Sequence, residues 1–79
     1  MKLAEVKNTI IKDLNIGRNF ADFYMKKFSQ LYHGDKRALE GFSAKYANGG
    51  QDVVFTITSC GETVEHTFPV IKWSERNNI

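Results

Sequence analysis

Seventy-nine residues leave room for one hydrophobic core, and a chain this short buries only about 60–65% of its unfolded surface. Six Phe, three Tyr and one Trp, with a single Pro, supply the apolar mass that argues for a folded domain over a disordered chain. The net charge of +2 falls well short of a polyelectrolyte binder. Residues 1–40 carry eight Lys/Arg against five Asp/Glu and residues 41–79 three against four, a mild basic lean of the first half only.

The first helix is predicted over residues 3–14. Leu3, Val6, Ile10 and Leu14 recur on one helical face with Ile11 alongside, while Lys7 and Lys12 fall toward the polar side. Asn15-Ile16-Gly17 supplies a stop, because Asn and Gly tolerate the left-handed conformation that ends helices. A second helix follows, capped near Asn19, with Phe20, Phe23, Tyr24, Phe28 and Leu31 keeping the 3.6-residue period to about Tyr32. Lys26 and Lys27 sit late in it, where positive charge suits the helix dipole, and His33-Gly34 ends it. Asp35 then caps a short helical turn over residues 36–40, closed by Gly41.

Three strands complete the chain. Phe42, Ala44, Tyr46, then Val53, Phe55, Ile57, then Val64, His66, Phe68 alternate with small or polar residues. With Gly49-Gly50 as a two-residue hairpin loop, Tyr46 faces Val53, Ala44 faces Phe55 and Phe42 faces Ile57. With Cys60-Gly61 as a second such loop, Ile57 faces Val64, Phe55 faces His66 and Val53 faces Phe68. Both loops bring the same apolar set to one side of the sheet, and a one-residue slip in either would turn it outward. The opposite side reads Ser43, Lys45, Ala47, Val54, Thr56, Thr58, Thr63, Glu65 and Thr67, a water-compatible surface. Pro69 cannot donate to a ladder, so the third strand is expected to be an edge or to carry a bulge there.

The expected fold class is therefore α+β: two N-terminal helices and a short helical turn packed on one face of a three-stranded antiparallel meander. It forms one domain over residues 1–79, with 74–79 as a frayed tail. One cysteine excludes an intrachain disulfide, the start lacks the apolar core of a signal peptide, and no apolar run reaches membrane-spanning length. The expected location is the cytoplasm.

No residue constellation for catalysis is evident. Cys60 neighbours Glu62, whose sign opposes a thiolate, and His66 falls opposite Phe55 among apolar partners. Two His and one Cys without a ligand spacing do not make a zinc site, and the carboxylates are scattered over separate elements. Asn48-Gly49-Gly50 joins two strands and does not open a helix, so it lacks the context of a phosphate cradle. A non-enzymatic protein without cofactor or metal is expected.

The stretch Phe20-Ala21-Asp22-Phe23-Tyr24 through Leu31-Tyr32 resembles the opening helix of the nuclear-transport-factor-2-like fold, over less than a third of the chain. The chain is too short for that fold's long curved sheet, and no site residue is carried over from it. In size and character the chain also resembles phage-encoded inhibitors and small bacterial regulators.

The reading is a binding protein that occludes or redirects a macromolecular partner, as a phage-type inhibitor of a host enzyme or defence complex would. Its contacts are expected from Lys45, Thr56, Thr58, Glu65 and Thr67 on the sheet, with Trp73 as an aromatic anchor and Tyr32 as a second candidate. Strand edges at Phe42–Ala47 and Thr63–Trp73 are expected to be open to strand addition or to a homodimer. The alternative is a nucleic-acid-binding regulator using Lys26, Lys27, Lys36 and Arg37 as a basic corner, with Arg18 nearby.

Overall fold

The structure, a computed structural model, describes residues 1–72; Trp73 and the tail 74–79 lie outside the described residues. Helix α1 (Leu3–Leu14) and helix α2 (Arg18–Leu31) precede strands β1 (Leu39–Ala47), β2 (Asp52–Ser59) and β3 (Glu62–Pro69). The strands pair in the order β1-β2-β3, all antiparallel. Both helices lie on one face of this sheet, giving an α+β arrangement with a 3-10 turn at Lys36–Ala38.

Both expected registers are present. Tyr46 pairs with Val53, Ala44 with Phe55 and Phe42 with Ile57, and on the other side Ile57 pairs with Val64, Phe55 with His66 and Val53 with Phe68. Val53, Phe55, Ile57, Ala44 and Phe68 accordingly join Val6, Ile10, Leu14, Ala21, Tyr24 and Phe28 in one buried cluster. Its centre is aromatic. Phe55 meets Phe42 and Phe68 edge-on at 4.9 and 4.8 Å between ring centroids, Tyr24 leans on Phe55 and Phe68, and Phe28 meets Phe42 at 5.4 Å. Tilted and edge-to-face contacts match positive ring edges to negative faces and add about 0.5–1.5 kcal/mol per pair beyond area burial.

Four details depart from the sequence reading. The N-cap of α2 is Gly17, not Asn19; its carbonyl accepts the Ala21 N–H at 3.0 Å, so helical geometry starts two residues earlier. The turn after α2 ends at Ala38, and Leu39 and Glu40 already belong to β1. The register shifts between Leu39 and Gly41, so Glu40 is an extra residue in the strand; this bulge reverses the alternation and turns Leu39 into the core, 1% exposed. In the first hairpin the ladder stops at Ala47 and Asp52. Gly49 and Gly50 do occupy its turn, but Asn48 is itself left-handed (φ 54°), so the loop spans Asn48 to Gln51.

A further departure concerns β1. Its outer edge, expected to be open, is closed by α1. The Ala44 N–H donates to the Asp13 carboxylate at 3.0 Å, the Tyr46 hydroxyl donates to the Leu14 carbonyl at 2.8 Å, and the Met1 amine donates to the Leu39 carbonyl at 2.7 Å. An amphipathic helix seeks apolar surface, and here it finds it along the margin of the sheet, so burial and edge protection come from one contact. Lys7 of α1 bridges to Asp22 of α2 at 2.7 Å and ties the two helices together.

The Cys60-Gly61 loop is a two-residue turn with both residues at positive φ, 50° and 78°. That is the type I′ pattern, which Asn-Gly suits and a cysteine does not. The Gly61 N–H donates to the carboxylate of the bulged Glu40 at 2.8 Å, pinning the turn to β1 across β2. Cys60→Asn is therefore expected to raise stability by about 0.5–1 kcal/mol, because Asn carries a smaller left-handed penalty. A thermal melt that falls instead would show that the thiol makes a contact the turn requires.

Candidate interaction face

Alternation along β1 to β3 sends Ser43, Lys45, Val54, Thr56, Thr58, Thr63, Glu65 and Thr67 to the side of the sheet away from the helices, and none of them joins the core cluster. No described helix lies over this side. Ser43, Lys45, Thr63, Glu65 and Thr67 are exposed, Thr56 and Thr58 half-buried, and Val54, between Lys45 and Thr67 in register, is buried at 7% exposure. The cross-strand neighbours Thr58 and Thr63 share a hydroxyl–hydroxyl hydrogen bond of 2.9 Å, which fixes two side chains and leaves their remaining hydrogen-bonding capacity facing outward. One lysine and one glutamate balance each other on this face.

The five expected sheet contacts, Lys45, Thr56, Thr58, Glu65 and Thr67, thus share one surface, with Ser43 and Thr63 completing it. Both added positions follow from the same alternation. Trp73 lies outside the described residues. Tyr32 is committed locally: it stacks on Phe28 at 5.6 Å, and its hydroxyl donates to the Asp35 carbonyl at 2.7 Å. Its ring folds over Gly34, where a Cβ would sit 2.9 Å from the Tyr32 oxygen, so no larger residue fits there without a shift.

Of the candidate basic residues, Arg18 stands apart from the rest. Arg18 opens α2, and Leu31 closes it about 20 Å further along the axis, so Arg18 stands at the opposite end from Lys36 and Arg37. Arg37 is held by Asp35, which accepts its backbone N–H at 2.9 Å and its guanidinium at 3.3 Å. The backbone hydrogen bond first, and the side-chain one second, hold the Asp35 carboxyl below its ordinary value. The contact is therefore kept above the usual carboxylate range and released as pH falls through the lowered value. Lys27 places its ammonium 5.4 Å from the Phe68 ring centroid, and with Lys26, Phe23, Gln30 and Ile71 it lines a shallow groove beside α2.

Other polar groups sit in structural settings. Cys60 is exposed at its turn, His66 is half-buried on β3, and the Tyr24 hydroxyl, deep in the core, accepts the Ile71 N–H at 3.1 Å. Among the described residues, no three of His, Cys, Asp and Glu gather as a metal site would require, and no helix is long and apolar enough to cross a membrane.

Comparison with known proteins finds no matching family model, no matching curated protein and no matching solved structure.

Proposed function

We propose that the protein is a stoichiometric binding module that occludes or redirects a protein partner through the outer face of its sheet. The observation that supports this reading is the concentration of hydroxyls there, Thr56, Thr58, Thr63 and Thr67, on paired strands with Lys45 and Glu65 among them. Short hydroxyl side chains lose little entropy on contact and accept or donate as the partner demands. The near-neutral charge of the face favours a protein surface over a phosphate backbone, whose recognition needs several cations acting together. Arg18 stands at the far end of α2 from Lys36 and Arg37, and Arg37 is engaged by Asp35, which leaves fewer cations to act together on a phosphate backbone.

The test is capture on the immobilised chain from extracts of its native source, followed by titration with the purified partner. Thr56→Arg places a bulky cation at the centre of the face and is expected to weaken binding about tenfold or more, with circular dichroism unchanged. The Lys26→Ala/Lys27→Ala pair is expected to bind normally. Salt-sensitive retention of DNA or RNA that vanishes with the lysine pair and survives Thr56→Arg would overturn the proposal.

A further inference from the structure

We infer that the free edge of β3 pairs with the same edge of a second copy, across a two-fold axis at Val64. Backbone directions on β3 follow from hydrogen bonds elsewhere in the sheet. Val70 donates its N–H to the Gln51 carbonyl at 2.9 Å, which makes 51/70 a bonded pair. Alternation then turns the backbone groups of Glu62, Val64, His66 and Phe68 toward β2, and those of Thr63, Glu65 and Thr67 outward. The Ala44 N–H, which leaves the sheet toward Asp13, gives the same phase from the opposite margin. Thr63, Glu65 and Thr67 are all exposed, and among the described residues no hydrogen bond reaches their outward N–H and C=O groups. Pro69 falls in the outward set as well, where its missing N–H costs the sheet nothing.

The helices leave the first half of this strand uncovered. Val64 points to their side of the sheet yet is 48% exposed, one of only two large apolar residues so exposed among those described. The occupant is specified by the sequence of the edge itself. With Val64 opposite the Val64 of the second copy, the two valines bury each other, and Glu62 faces His66 twice on the same side. Thr63 then faces Glu65 twice on the other side, as hydroxyl donor to carboxylate. Neighbouring registers are worse: centring on Glu65 opposes two carboxylates, centring on Thr63 sets Val64 against Glu62, and centring on His66 sets Thr63 against Pro69, which has no N–H to give. Thr63 and Glu65 would exchange backbone hydrogen bonds, leaving Val64 at a non-hydrogen-bonded site where opposed Cα atoms approach to about 4.5 Å. The product is a six-stranded antiparallel sheet whose outer hydroxyl face runs unbroken through both copies.

Close Cα spacing at a non-hydrogen-bonded pair lies within disulfide range, so cysteine scanning reads the register directly. In a Cys60→Ser background, Val64→Cys is expected to oxidise to a covalent dimer under mild oxidant, well ahead of Thr63→Cys and Glu65→Cys. By sedimentation velocity the unmodified protein is expected to move with increasing concentration toward twice its 9.0 kDa mass. Val64→Lys, which sets two ammonium groups against each other, is expected to remain monomeric with an unchanged circular-dichroism spectrum. Equal or faster crosslinking at position 63 or 65 would overturn the register, and a monomer at all concentrations without crosslinking would overturn the pairing. Neither result touches the outer-face proposal, which is read by Thr56→Arg in the monomer or the dimer alike.

Discussion

Phe55→Ala is expected to remove about 3–5 kcal/mol of stability, against roughly 4–12 kcal/mol in total for a chain of this length. The ring is fully buried on the central strand and touches Phe42, Phe68 and Tyr24, so truncation leaves a void that three other rings cannot all refill. At about 4–8 °C per kcal/mol the melting temperature should drop by about 12–40 °C, measured by circular dichroism. Phe55→Leu keeps most of the volume and should cost considerably less. A loss under about 1 kcal/mol for the alanine variant would mean that the sheet does not carry its aromatic side toward the helices.

The second large effect is expected at α1. Ile10→Ala removes a fully buried side chain and should cost about 2–5 kcal/mol, whereas Asp13→Ala removes an exposed carboxylate with one hydrogen bond to the Ala44 N–H and should cost about 1–2 kcal/mol. The two should also differ in kind. Loosening α1 frees the outward N–H and C=O groups of Phe42, Ala44 and Tyr46, so Ile10→Ala should aggregate on warming at concentrations where Asp13→Ala stays clear, as light scattering would record. Equal aggregation of both variants would assign the protection of this margin to the Asp13 contact and not to the packed helix.

Particular residues explain how far the sequence could be read. The strand pairings were legible because alternation over Phe42–Tyr46, Val53–Ile57 and Val64–Phe68 admits one phase, and each glycine-bearing turn fixed that phase independently. Leu39 was hidden by the same logic: Glu40 reverses the alternation, and the Gly41 that follows it was read as the close of a helical turn over residues 36–40 instead of as the mark of a bulge. The place of α1 was equally opaque. Val6, Ile10 and Leu14 announce a buried stripe, but periodicity says which face is covered and nothing of what covers it; Asp13, the residue that caps the Ala44 N–H, looked like any solvated carboxylate. The outer-face residues were legible from alternation alone. The place of Arg18 was not legible from sequence proximity, because α2 carries it away from Lys36 along its whole length.

One margin shut and the other free has a geometric corollary for assembly. A layer that can accept a neighbour on both flanks grows without limit, as fibrils do, whereas one with a single receptive flank is used up by its first partnership. By lying along β1, α1 would thus hold the edge pairing proposed for β3 to two copies, so that association ends where an open layer would continue.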